Sequence, residues 1–140
     1  RQEIIRVRNP YSVRPYQHVL EPLTAYLMIA AEQYKNPDVQ GYYNVGPGEE
    51  NCVTTGELVG LFCEAWGSGA EWKNCMEKDA PHESGFLKLD CSRIKHTFGW
   101  EPKWNIGKSV EMTVQFSRVW TAGRNIAEEM DREIEEFLEE

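Results

Sequence analysis

Apolar side chains recur every three or four residues in four stretches of the chain, which is the spacing of a helix with one buried face. These stretches cover residues 21–34, 54–67, 106–120 and 126–138. A shorter helix is predicted at residues 92–98, with Gly99 ending it in a left-handed conformation. The predicted buried stripes are Leu23, Tyr26, Leu27, Ala30 and Ala31; Leu58, Leu61, Phe62 and Ala65; Val110, Val114, Phe116 and Trp120; and Ile126, Met130, Ile134 and Leu138.

Five shorter stretches are rich in β-branched or aromatic residues and are predicted as strands. They are "EIIRVRN", "QHV", "YYNVG", "AEWKNC" and "FLKLD", at residues 3–9, 17–19, 42–46, 70–75 and 86–90. Strands that alternate with helices in this way indicate a protein of the α/β class. The predicted fold is a small mixed sheet covered by about five helices.

Acidic residues are concentrated at the end of the chain. The formal net charge is −8, and residues 128–140 contain eight acidic side chains and a single basic one, Arg132. We interpret residues 124–140 as an acidic amphipathic helix that packs on, or extends, a main domain of residues 1–123. A nucleic-acid partner is disfavoured, because phosphate backbones require a clustered basic face. No apolar run reaches the ~20 residues of a membrane-spanning helix, so no membrane partner is expected.

The cysteines and histidines do not have the spacing of a metal site. Cys52, Cys63, Cys75 and Cys91 lie at intervals of 11, 12 and 16 residues, without a C-x-x-C motif. We therefore expect no bound metal, and four reduced thiols in a cytoplasmic protein.

Motifs of a self-contained enzyme are missing from the sequence. It has no G-x-x-G-x-x-G dinucleotide loop, no G-x-x-x-x-G-K-[ST] phosphate loop and no Tyr-x-x-x-Lys pair. No motif indicates a Ser-His-Asp or Cys-His arrangement either. We expect neither a catalytic residue nor a cofactor-binding residue in this chain.

Four blocks of the sequence do occur in the order found in one family. They are "RPYQHVLEPLTAYL", "YYNVGP", "HESGFLKLDCSRIKHTFGWEPKW" and the helix that contains Trp120. Together they resemble the C-terminal, substrate-binding part of an extended short-chain dehydrogenase/reductase, over about residues 4–123. Asp-x-Ser-[Lys/Arg] followed by Gly-Trp-x-Pro is widespread in that superfamily. "RPYQHVLEPL" and "HE…LKLD" are narrower and indicate the subgroup that dehydrates CDP-glucose.

The resemblance implies the activity of a longer parent enzyme. Such an enzyme holds NAD on an N-terminal Rossmann domain, which is absent here, and its catalytic residues lie in that domain. It oxidises CDP-glucose at C4, eliminates water across C5 and C6, and returns the hydride to C6. The product, CDP-4-keto-6-deoxyglucose, is a precursor of dideoxy sugars in bacterial surface polysaccharide. The parent is expected to be a homo-oligomer, and this chain alone is expected to bind substrate without catalysis.

The loss of a Rossmann domain has a structural consequence. Surfaces that meet that domain in the parent enzyme are expected to be exposed here, as an apolar patch larger than is usual for a monomer.

The corner around "RPYQHVLEP" contains the first candidate site residues. By the resemblance, Arg14 meets the nucleotide diphosphate, and a planar, permanently charged guanidinium suits phosphate oxygens. The alternative is a surface arginine bonded to a loop carbonyl. His18 either contacts substrate or stays within the corner as a packing residue. Glu21 is expected to serve the positive end of the following helix rather than a ligand.

Two further regions contribute candidates through the resemblance. Asn44, at the end of "YYNVG", either touches substrate or caps the following loop. Val53 and Thr54 match the position before a helix where relatives contact the base or sugar. The alternative for Thr54 is a plain helix N-cap, because Glu57 follows it at the spacing of a capping box.

One loop departs from the wider superfamily. Many sugar-nucleotide relatives have a second arginine for the diphosphate in the loop that reads "DAPHESG" here, and the aligned position is Ala80. His82 and Glu83 are the polar candidates instead, although such a pair is also common on plain surfaces.

Two other functions remain open. The chain is alternatively part of a related NAD-dependent sugar-nucleotide epimerase or dehydratase. It is otherwise a non-catalytic module that binds a sugar nucleotide or another protein. An upstream dinucleotide loop and a Tyr-x-x-x-Lys pair would separate both enzyme hypotheses from the module.

Overall fold

The computed structural model describes residues 4–67, 69–76 and 85–140. Four short strands are β1 (Ile5–Val7), β2 (Val13–Pro15), β3 (Cys52–Thr54) and β4 (Trp72–Asn74). The α-helices are α1 (Leu20–Lys35), α2 (Thr55–Trp66), α3 (Ser92–Phe98), α4 (Ile106–Thr121) and α5 (Ile126–Glu139). Single 3-10 turns lie at Pro37–Val39 and Glu49–Asn51. The α/β class and the five predicted helices are confirmed.

The strands form two separate pairs instead of one sheet. β1 pairs with β4 in parallel, with Ile5 opposite Trp72. β2 pairs with β3 in the antiparallel direction, with Val13 opposite Thr54. A single parallel bridge joins Val13 to Phe86 on the other side of β2. The prediction of a small sheet with mixed strand directions is therefore confirmed, with its four described strands divided into two pairs.

Three of the predicted strands are wrong or incomplete. "QHV" is a turn into α1, in which the Glu21 N–H donates to the His18 carbonyl at 3.1 Å, and the strand lies four residues earlier, at Val13–Pro15. "YYNVG" has no regular secondary structure, and in "FLKLD" only Phe86 makes a bridge. A β-prone segment becomes a strand only when a partner strand is present. No described strand pairs with residues 42–46.

The helix ends follow local signals in the sequence. Thr54 and Glu57 form a complete capping box at the start of α2. Gly99 ends α3 with a φ of 68°, the left-handed conformation that glycine adopts easily. Asn105 and Asn125 cap α4 and α5 through their side-chain oxygens. The capping box of Thr54 and the left-handed Gly99 were predicted, because each depends on residues within one turn.

The core consists of two apolar clusters. The first joins α1 to α3 through Ala25, Cys91, Ile94 and Trp100. The second consists of Trp104, Met112 and Phe137, with Leu20 packed against it, and it joins the start of α1 to α4 and α5. Both clusters contact α1, so this helix connects the two halves of the molecule.

The buried face of α1 differs from the prediction. Glu21 and Ala25 point into the core, with Met28 and Ile29 packed beside them. The predicted stripe is exposed, as Leu23, Tyr26, Leu27, Ala30 and Ala31 all face solvent.

The buried face of α5 also differs from the prediction. Its buried side chains are Glu129, Glu133 and Phe137. The stripe predicted to be buried is largely accessible, with Met130, Ile134 and Leu138 exposed to 48%, 40% and 66%. Helical spacing locates an apolar stripe but does not say what covers it.

The apolar stripes of α2 and α4 are only partly buried, whereas full burial was predicted. Leu58, Leu61, Phe62 and Ala65 of α2 are half-buried, since α2 packs on α4 by one side alone. In α4, Val110 and Val114 are buried and Phe116 is half-buried, but Trp120 is exposed.

The outward stripes of α1 and α5 meet in one apolar groove. The groove has a volume of about 440 Å³ and is lined by Val19 and Leu23 at the start of α1, Phe116 of α4, and Met130 and Ile134 of α5. Apolar side chains of both helices are thus exposed in this groove, while an apolar patch larger than is usual for a monomer stays a prediction.

Substitutions on the buried and the exposed face of α5 should differ strongly in their effect on the free energy of unfolding. We expect Phe137→Ala to lower the free energy of unfolding by about 3 kcal/mol, because it leaves a cavity beside Trp104. Ile134→Ser, on the open face, should change it by less than about 1 kcal/mol. Urea denaturation measures both values. A larger loss for the Ile134 variant would show that the predicted stripe is the buried face after all.

Candidate functional site

The pairing of β2 with β3 brings three of the predicted site residues together. Arg14 lies directly opposite Val53, and Thr54 lies opposite Val13. The pair is fixed at its base by the hydroxyl of Thr55, which lies 2.8 Å from the Tyr16 hydroxyl and 3.0 Å from that of Ser12. Residues 13–15, 52–54 and 85–88 are called the Arg14 corner below.

Arg14 is half-buried at the centre of this corner. Its Nη1 donates a hydrogen bond of 2.9 Å to the carbonyl of Val13, which is the contact expected of an arginine bonded to a loop carbonyl. No ion pair among residues 4–67, 69–76 and 85–140 includes Arg14. The guanidinium therefore keeps a positive charge that no described carboxylate neutralises, together with donors suited to phosphate oxygens.

Thr54 is the N-cap of α2, which is the alternative role that the sequence left open. Its hydroxyl accepts the Glu57 N–H at 3.1 Å and donates to the Glu57 carboxylate at 2.7 Å. Hydrogen bonds from the Thr54 N–H and hydroxyl lower the pKa of Glu57 below its ordinary value. Thr54 thus sets the start of α2, and Val53 is half-buried beside Arg14.

His18 lies away from these residues, between the start of α1 and α5. It is buried, its ring lies 4.9 Å from that of Trp104, and its Nε2 is 3.8 Å from a carboxylate oxygen of Glu133. Its Nδ1 accepts the Leu20 N–H at 3.4 Å. Burial lowers the pKa of the imidazole. These contacts are those of a packing residue, and a ligand role for His18 stays a prediction without geometric support.

Glu21 is fully buried and does more than complement a helix end. Its carboxylate accepts the Lys103 N–H at 3.0 Å and the Trp104 N–H at 2.7 Å. Burial raises the pKa of this carboxyl, while the two N–H bonds oppose that shift. Sequence reasoning missed this contact, because its partners lie more than 80 residues away.

Asn44 is exposed and fixes one segment of the chain to another. Its side-chain N–H donates to the carbonyl of Asp90 at 3.0 Å. This bond connects residues 42–46 to the end of "FLKLD". This arrangement tests neither of the two expectations for Asn44, a substrate contact or a loop cap, and the ligand role stays a prediction.

His82 and Glu83 lie outside the described residues, as does Ala80. The described chain continues at Gly85, whose carbonyl accepts the Val13 N–H at 2.9 Å. The segment that follows the predicted His-Glu pair in sequence is thus part of the Arg14 corner.

The described residues show no place for a metal or a dinucleotide. No group of three or more His, Cys, Asp or Glu side chains among them is arranged to hold an ion. None of the five described helices begins at a glycine-rich turn, since their N-caps are Val19, Thr54, Cys91, Asn105 and Asn125. The described residues therefore do not fit NAD. No described helix has the length and apolar character needed to cross a membrane.

The five helices and four strands of the described residues are consistent with a C-terminal domain of an extended short-chain dehydrogenase/reductase. No protein-family profile matches the chain. It is 36% identical over 138 residues to CDP-glucose 4,6-dehydratase of Salmonella typhimurium. The match covers 98% of this chain and 38% of the relative, in its C-terminal part. The resemblance predicted from the motifs is confirmed.

The carboxyl of Glu133 provides a test of the contact between α1 and α5. Burial raises its pKa above the ordinary value of 4.5, and the nearby Glu129 adds to the shift. A raised carboxyl pKa stabilises the fold below pH ~4.5, and this contribution is lost as the pH rises through the folded pKa. Glu133→Gln should therefore be more stable than the wild type by about 1 kcal/mol at pH 8 and equal to it at pH 4.

Urea denaturation at several pH values measures this difference. Glu135→Gln, which removes a negative charge from the exposed side of the same helix, is the control. Destabilisation by Glu133→Gln at pH 8 would mean that the carboxylate is stabilised by its surroundings.

Proposed function

We propose that this chain is the substrate-binding part of an NAD-dependent CDP-glucose 4,6-dehydratase. The observation that supports the proposal is the guanidinium of Arg14 beside β3, which no described carboxylate neutralises, in a chain 36% identical to an enzyme of that name. The ligand of this corner is the diphosphate of CDP-glucose. The chain itself is catalytically inactive.

Each residue of the corner has a separate task in this proposal. Arg14 donates hydrogen bonds to the diphosphate, and its bond to the Val13 carbonyl holds the guanidinium in place beforehand. Val53 supplies an apolar surface next to it, and Thr54 fixes β3 to the start of α2. Asn44, by holding residues 42–46 against Asp90, places a second segment for contact with the nucleotide.

The chemical steps belong to groups outside this chain. NAD held outside this chain would supply the hydride chemistry for oxidation at C4 and reduction at C6, with loss of water across C5 and C6 giving CDP-4-keto-6-deoxyglucose. The described residues neither fit NAD nor form a catalytic set. Their contribution is to bind the nucleotide and orient the sugar towards a Rossmann domain.

The outward apolar faces are the surface on which that Rossmann domain packs. Leu23 and Leu27 of α1 and Ile134 of α5 are exposed next to the shared groove. An apolar surface of this extent is typical of a contact between domains. Association with the N-terminal domain would remove it from water.

A titration tests the proposed ligand. We expect the chain to bind CDP-glucose more tightly than UDP-glucose or dTDP-glucose, with NMR shifts at Arg14 and Val53. Arg14→Gln should weaken the binding of CDP-glucose about tenfold, because it removes a charged hydrogen-bond donor. Calorimetry or NMR line shapes measure the affinities.

Arg124→Gln is the matched control, since Arg124 is exposed in the turn between α4 and α5. Equal losses of affinity in Arg14→Gln and Arg124→Gln would mean that binding depends only on the net charge of the chain. Unchanged affinity in Arg14→Gln would contradict the assignment of the diphosphate to this corner.

A further inference from the structure

Residues 85–88 form a third segment, which lies beside β2 on the side opposite β3. The Val13 N–H donates to the Gly85 carbonyl at 2.9 Å, and the Leu87 N–H donates to the Val13 carbonyl at 3.1 Å. Val13 and Phe86 form the parallel bridge between them. Lys88 directly follows Leu87 in this segment.

The guanidinium of Arg14 is directed towards this same segment. Its Nη1 donates to the Val13 carbonyl at 2.9 Å, the oxygen that also accepts the Leu87 N–H. One oxygen atom thus has both the guanidinium and the backbone of residue 87 as neighbours. The positive charge of Arg14 lies at the boundary between β2 and the segment that contains Lys88.

The ammonium of Lys88 lies on the other edge of the corner, near the start of β3. It is 3.9 Å from a carboxylate oxygen of Glu49 and 5.3 Å from the centre of the Phe86 ring. Burial raises the pKa of the Cys52 thiol, and the charge of Lys88 opposes that shift. Cys52 pairs with Pro15, the residue after Arg14. The charge of Arg14 therefore lies at the Val13 carbonyl and that of Lys88 acts on Cys52, in the two paired strands β2 and β3.

The ion pair between Lys88 and Glu49 is weak, so another anion can take the place of Glu49. Glu49 is exposed to 89% and Lys88 to 32%, and exposed ion pairs are weak because water and salt screen them. A diphosphate held by Arg14 offers several charged oxygens in place of one solvated carboxylate.

We infer that Lys88 is the second cation of the diphosphate site, which exchanges Glu49 for a phosphate oxygen when the nucleotide binds. The inference rests on the proposed function, and it accounts for the loop in which Ala80 stands where many relatives have an arginine. A diphosphate carries a negative charge on each phosphate, so one guanidinium leaves one of these charges unbalanced. Lys88 balances that charge from an adjacent segment of the chain.

The experiment compares ligands with and without phosphate. We expect Lys88→Gln to weaken the binding of CDP to the 140-residue chain about tenfold while cytidine binding stays the same, because only CDP carries the group that Lys88 contacts. Lys88→Arg should keep most of the affinity. Glu49→Gln should tighten CDP binding, since it removes the competing carboxylate. NMR titration measures all of these affinities.

Lys95→Gln is the control, because Lys95 has a comparable exposed ion pair with Glu101 on another part of the surface. Equal losses for CDP and cytidine in Lys88→Gln, or a loss matched by Lys95→Gln, would overturn the inference. Wild-type affinity for CDP in Lys88→Gln would also overturn it and leave the proposed function intact. Failure of the wild type to bind CDP or CDP-glucose would overturn both.

Discussion

The buried carboxylate of Glu21 is the contact on which the arrangement of this chain depends. A buried charge without partners is strongly destabilising, and here the N–H groups of Lys103 and Trp104 provide the partners. They fix the segment before α4 against the first turn of α1. Trp104 then packs between His18 and Phe137, which positions α5. The corner that leads from Arg14 into α1 is thereby connected to the C-terminal helix.

This contact also decides which face of α1 is open. Successive residues of a helix are rotated by about 100°, so Leu23 points roughly opposite to Glu21 once Glu21 is inside. In α5, Phe137 packs on Trp104 and Glu133 follows it inward, one turn earlier. Each helix buries a carboxylate and leaves apolar residues exposed. Such faces are unfavourable in water.

The sequence was informative wherever the signal was local. The capping box of Thr54, the left-handed Gly99 and the asparagine caps all depend on neighbouring residues, and the family motifs were sufficient for the resemblance. The buried faces were not predictable, because they depend on Glu21 and its partners far along the chain. The strand at residues 52–54 was missed for the same reason, as it exists only through its pairing with β2. Arg14, Val53 and Thr54 were therefore identified singly, while their juxtaposition was not.

Charge is distributed in a way that suits recognition at short range. The chain carries −8 overall, so its long-range field repels an anionic nucleotide. Most of this charge is in α5, where Arg132 pairs with Glu129 and Glu136, and Lys108 of α4 also contacts Glu136. The cations of the Arg14 corner take no part in this network. Under the proposed function, binding of an anion would depend on direct hydrogen bonds from the Arg14 corner, because the net negative charge of the chain opposes its approach.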